Sequence, residues 1–99
     1  TPFVPMNCLP NYQSYMVRLI GAAASKRDAI MQVLLEKNIS TRRAIMAIHR
    51  EVPYRSDRWD AVLPQTNMVT DTALILPLFH QMSGADQDYV VEALYATSV

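Results

Sequence analysis

Over the first third of this chain the spacing of apolar residues changes once, from every second position to every third or fourth. That change restricts the chain to folds that combine strand with helix. Tyr15, Val17 and Leu19 alternate with Ser14, Met16 and Arg18, which predicts a strand over 12–20, closed by Gly21 and a run of small residues. Ile30, Val33 and Leu34 then recur at helical spacing. Ser25-Lys26-Arg27-Asp28 reads as a capping box opening that helix, and Lys37 lies in its last turn, where a cation suits the dipole. Asn38 follows, the residue after glycine best suited to the left-handed conformation that closes a helix.

The second half repeats the alternation of elements. Ile39 to Ile48 reads as a second strand ending before His49, and Pro53 with Arg55-Ser56-Asp57-Arg58 marks a loop reaching about Pro64. A short helix is expected from Thr66 or Asn67 through Leu74, then a brief strand at Leu76-Pro77-Leu78-Phe79. Ser83 and Asp86 form a second capping-box pattern, opening a final helix with Tyr89, Val90, Ala93 and Leu94 as its apolar stripe. A right-handed strand-helix-strand crossover that leaves a gap for the third strand gives an α+β domain: a small mixed sheet of about three strands, with helices packed on one face. Residues 1–11, with three prolines, read as an extended linker into a single domain over 12–99.

Composition excludes several classes of function. With 51% hydrophobic residues the chain can close a core, and nine basic residues balance nine acidic ones. Such a balance lacks the positive footprint that nucleic acid or anionic membranes require. Cys8 is the only cysteine, with neither a disulfide partner nor zinc-ligand spacing around it, which suits a reducing, cytoplasmic setting. No apolar run approaches membrane-spanning length, and the first residues lack the pattern of a signal peptide. A start at Thr1 instead of methionine suggests a domain of a longer protein.

The order of the residues is itself informative. Tyr12-Gln13-Ser14-Tyr15-Met16-Val17-Arg18-Leu19 comes first, followed by Arg27-Asp28, Asn38-Ile39-Ser40-Thr41-Arg42-Arg43 and Ala47-Ile48-His49. Leu63-Pro64 with Thr66, Leu76-Pro77-Leu78-Phe79 with Met82, and Asp88-Tyr89-Val90-Val91-Glu92-Ala93-Leu94 continue the series. Together these pieces resemble the carboxyl-terminal domain of the DegT/DnrJ/EryC1/StrS aminotransferases.

The resemblance implies a parent enzyme that depends on pyridoxal phosphate and moves an amino group, usually from glutamate, to a keto group on a nucleotide-linked sugar. It implies a missing N-terminal large domain carrying the Schiff-base lysine, the acid at the pyridine nitrogen and the phosphate cradle, and a homodimeric full-length protein. No cofactor is expected in this chain: Lys26 and Lys37 read as solvated helix-end residues, and the only glycines, Gly21 and Gly84, fit a turn or cap. Catalysis by the chain alone is not expected.

The resemblance also makes Thr41, Arg42, Arg43, His49 and Tyr54 candidate substrate contacts. A guanidinium can grip a diphosphate through parallel hydrogen bonds, and a histidine or tyrosine can orient a sugar hydroxyl or stack on a base. Adjacent arginines on a strand face opposite ways, so at most one of Arg42 and Arg43 looks into a given cleft. The alternatives are that both arginines are solvated or paired with acids such as Glu51 or Asp60, and that His49 only bonds a backbone carbonyl. His80 replaces a frequent proline of the family and Asn67 a frequent glutamate. Met16, Met31, Met46, Met68 and Met82 read as core or interdomain packing, and Trp59 as a contact to the missing domain or a second subunit. A stand-alone small-molecule-binding or regulatory module is the competing reading. It predicts no broad exposed apolar surface, whereas a separated domain predicts one involving Phe3 to Leu9 and the Trp59 loop.

Overall fold

The computed structural model describes residues 3–55 and 57–98, with the side chains of Asp57 and Asp60 outside the described set. Strand β1 (Tyr15–Arg18) leads through a 3-10 turn over Gly21–Lys26 into helix α1 (Arg27–Glu36), and strand β2 (Arg42–Arg43) follows. Two short 3-10 turns, Ile48–Arg50 and Val52–Tyr54, precede helices α2 (Asp57–Val62) and α3 (Pro64–Thr72). Strand β3 (Ala73–Leu76) and helix α4 (Gly84–Ser98) complete the chain.

The crossover through α1 leaves an empty place between β1 and β2, and β3 fills it, so the sheet order is β1-β3-β2. Both ladders are antiparallel. Val17 lies opposite Leu74 and Leu74 opposite Arg43, while Met16, Ile75 and Arg42 form the adjacent row. Because side chains alternate across a strand, these two rows point to opposite faces. The face bearing Leu74 and Leu76 meets Ile30 and Leu34 of α1 and Val90 and Ala93 of α4 in one core, with Leu34 and Leu74 fully buried. The helices α1 and α4 therefore cover one face of an α+β sheet.

Local chemistry explains where elements stop. Asn38 has φ 61°, its N–H donates to the Leu35 carbonyl at 2.9 Å, and the Ile39 N–H donates to the Leu34 carbonyl at 2.9 Å. These two bonds satisfy carbonyls that the end of α1 would otherwise leave without partners. At the other helix, the Ser83 N–H and Oγ–H both donate to Asp86 Oδ2, at 2.9 and 2.6 Å, while the Asp86 N–H donates to Ser83 Oγ at 3.1 Å. That is the reciprocal capping box expected from the sequence.

Other boundaries differ from expectation. The first strand is confined to 15–18 rather than 12–20, and Tyr12 adopts φ 45°, which no strand residue does. Ser25 does not cap α1: its hydroxyl donates to the Ala22 carbonyl within the 3-10 turn, so the helical path begins earlier, at Gly21. The second strand shrinks from 39–48 to two residues, because the chain turns after Arg43 and coils at Ile48–Arg50. The expected loop to Pro64 contains α2, and α3 starts at Pro64, where a proline without an N–H suits the first helical turn. The third strand is 73–76, not 76–79. As the central strand it needs ladder donors on both sides, and Pro77 has none, so pairing stops before it.

Candidate functional site

Arg27 ties the sheet to α3. It is buried, and its Nη1 donates to the Thr70 carbonyl at 2.9 Å and to the Ala73 carbonyl at 3.2 Å, fixing the corner where α3 becomes β3. Its Nε lies 2.5 Å from Asp28 Oδ1, an ion-pair contact whose angle leaves the Nε–H without a hydrogen bond. The residues around β2 inherit their positions from this frame.

The structure separates the five candidates. Thr41 and Arg43 border one groove of 290 Å³ together with Asp28 and Gln32 of α1. Arg43 Nη2 lies 3.1 Å from Asp28 Oδ2, so the partner of this arginine is Asp28, not Glu51 or Asp60. Arg42 points to the opposite face, as strand alternation requires, and borders a larger groove of 590 Å³ with Gln13, Ser14, Ser40, Ile75 and Phe79. Among the described residues Arg42 has no ion-pair partner.

His49 lies in a 3-10 turn, buried, with Nε2 2.7 Å from Asn67 Oδ1 of α3. Its partner is thus a side chain, not the backbone carbonyl weighed from the sequence. Next to it, Arg50 grips Asp71 of the same helix at 2.5 and 3.0 Å. The Arg50 hydrogen bonds hold the Asp71 carboxyl below its usual range against a small burial penalty, with the charges of Arg50 and Arg27 adding. These two links anchor the turn after β2 to α3, with Asn67 supplying the polar tie. Tyr54 is 62% exposed on the next turn. The sequence reading missed Gln13, Ser14, Ser40 and Phe79, which reach the Arg42 groove only because β1, β2 and β3 bring their ends together; nothing local marks them.

Residues 4–95 match the DegT/DnrJ/EryC1/StrS aminotransferase family. The chain belongs to that family. Among solved structures it is similar to the aminotransferase TlmJ from Streptoalloteichus hindustanus, with 26% identity and a TM-score of 0.80 over 97% of this chain and 24% of that one. A likeness of fold extends to the apo-form of Spr1654 from Streptococcus pneumoniae, a protein assigned as a sugar aminotransferase. That match has 23% identity and a TM-score of 0.76 over 86% of this chain and 22% of that one. The chain spans about a quarter of the length of these structures.

The family's aminotransferase chemistry implies pyridoxal phosphate in the parent enzyme. Holding it requires an amine, an acid at the ring nitrogen and a phosphate cradle in one cavity. The described residues do not fit that group. Lys26 and Lys37 are exposed at the two ends of α1. Lys37 borders a groove with Asp86 and Tyr89, but the Asp86 carboxylate is committed to Ser83 and no arginine lines that groove. Among the described residues there is no His/Cys/Asp/Glu group able to hold a metal ion, and no helix is long and apolar enough to cross a membrane.

Proposed function

We propose that this chain is the carboxyl-terminal domain of a pyridoxal-phosphate-dependent enzyme that transfers an amino group, with glutamate as donor, to a nucleotide-linked keto-sugar. Its part is to contact substrate and to pack against a larger cofactor-bearing domain within a homodimer. The observation that carries this reading is the family match over residues 4–95 in a chain spanning about a quarter of similar aminotransferase structures.

Surface supports it. The accessible area is 7903 Å², whereas a self-contained monomer of 11.2 kDa exposes about 5,700 Å². Phe3, Met6 and Leu9 are 88%, 100% and 99% exposed, and Tyr95, Val91 and Tyr89 are exposed on α4. Trp59 is only half-buried, with the Arg58 guanidinium 4.7 Å over its ring. A stand-alone module has no reason to carry so much apolar surface in water. Thr41, Arg42, Arg43, His49 and Tyr54 are the proposed substrate-side residues, with His49 acting through the fold of the turn that it and Asn67 hold.

Two measurements test the reading. The full-length protein containing this chain, supplied with pyridoxal phosphate, a keto-sugar nucleotide and glutamate, is expected to release 2-oxoglutarate. The 99-residue chain alone, incubated with the cofactor and reduced with borohydride, is expected to give no stoichiometric label on Lys26 or Lys37. Turnover by the isolated chain, or one fully labelled lysine, would overturn the assignment.

A further inference from the structure

The two arginines of β2 are neighbours in sequence but differ in electrostatic state. Arg43 is neutralised locally by Asp28, 3.1 Å away, and Asp28 also meets Arg27. Its groove therefore contains a cation and an anion already in contact. The Arg42 groove contains one charged side chain, Arg42 itself, with the hydroxyls of Ser14 and Ser40 and the amide of Gln13 as further hydrogen-bond donors. Ile75 and Phe79 line the same groove and give it an apolar side. At 590 Å³ it has the size of a small-molecule site.

An exposed guanidinium without an acid offers its planar fork of N–H groups, and hydroxyls beside it extend that donor set. The complementary ligand carries a phosphate or diphosphate joined to a flat, weakly polar body that can lie against Phe79 and Ile75.

We infer that the open sheet face around Arg42, with Ser14 and Ser40, binds the diphosphate of a nucleoside diphosphate, and that Arg43 is a structural tie to α1. The inference rests on the nucleotide-sugar reading above. It narrows that reading by assigning anion recognition to one arginine and by adding residues from the segment before β1 and the end of β3.

The test uses the 99-residue chain and three probes: inorganic pyrophosphate, uridine and uridine diphosphate. In amide and arginine side-chain NMR titrations, pyrophosphate and uridine diphosphate are expected to shift Ser14, Ser40 and the Arg42 Nε–H. Uridine alone is expected to do so far more weakly. Removing a charge-assisted hydrogen-bonding group makes Arg42→Gln weaken uridine diphosphate binding roughly 10-fold or more, while Arg43→Gln changes it less than about 2-fold. Arg42→Lys, which keeps the charge and loses the fork, is expected to fall between. Both substituted side chains are exposed, so folding is retained, and unchanged core amide shifts verify it. Equal losses in the two glutamine variants, a larger loss in Arg43→Gln, or no binding of either phosphate probe would overturn the inference. None of these outcomes touches the nucleotide-sugar reading, which fails separately if the full-length protein aminates no keto-sugar nucleotide.

Discussion

Arg27 is the residue whose loss should cost this chain most for its size. Its Nη1 satisfies two backbone carbonyls at the α3-β3 corner, and a buried carbonyl without a donor costs about 1–3 kcal/mol. Arg27→Met should therefore lower unfolding free energy by about 2 kcal/mol in urea titrations. Arg27→Lys should recover only part of that, because one ammonium cannot reproduce a guanidinium's spread of donors. A second residue-scale effect is pH-dependent. The Asp71 carboxyl is held below its ordinary value of 3.8 by Arg50, so its contribution is complete above that pH and lost as pH falls through the lower folded-state value. The pair is about half exposed, so solvent screening limits the contribution to about 1 kcal/mol or less. Asp71→Asn should be less stable than the parent at pH 7 and equal to it near pH 2, measured by denaturant unfolding; a gap that widens on acidification would contradict this. Residue roles were only half legible in the sequence. Alternation foretold that Arg42 and Arg43 part ways, but which one keeps an acid depended on Asp28, fifteen positions earlier and brought close by the crossover. His49 was visible as a polar residue at the end of an apolar run, yet its partner Asn67 lies on an element that the sequence placed in a different register.

Elements were read best where one residue type forces one geometry. Asn38 takes the left-handed conformation, and Ser83 with Asp86 forms the capping box, because few alternatives satisfy those helix ends. The Ser25 capping pattern failed because small residues before it let the chain coil from Gly21, removing the need for a cap. Strand ends were misread because β2 is too short for periodicity to register, and because Pro77 marks a boundary that local propensity cannot reveal until the strand's central place is known. Two outcomes follow at this scale. Asn38→Ala should destabilise α1 by about 1 kcal/mol through left-handed strain, while Asn38→Gly should be neutral or slightly stabilising, as read from melting curves. Ser83→Ala should raise the Asp86 pKa toward its ordinary value, since the Ser83 hydroxyl is the main influence lowering it and the Ser83 N–H the next. Carboxylate NMR titration reads that shift directly, and an unmoved midpoint would mean the cap does not persist in solution.

The whole molecule is larger than its length requires. Its radius of gyration is 15.5 Å, against about 13 Å for a compact domain of 100 residues. Much of the difference lies in the segment before β1, whose residues are exposed throughout. Deleting residues 1–9 should therefore leave stability within about 0.5 kcal/mol, whereas Leu74→Ala, at the centre of the core, should cost about 2–5 kcal/mol. Equal losses in the two would show that the leading segment packs on the domain.

The strand that joins the sheet is also the last of the three to leave the ribosome. β1 and β2 share no hydrogen bond, so until Ala73–Leu76 has been synthesised neither has anything to pair with. The ladder between β1 and β3 closes a loop of nearly sixty residues, and ordering a loop of that length precedes any return from its contacts. Folding of this region is consequently all or nothing with respect to β3. A nascent chain arrested before Ala73 can form helical turns but no sheet, which leaves the apolar face of α1 waiting in water for the segment that will cover it.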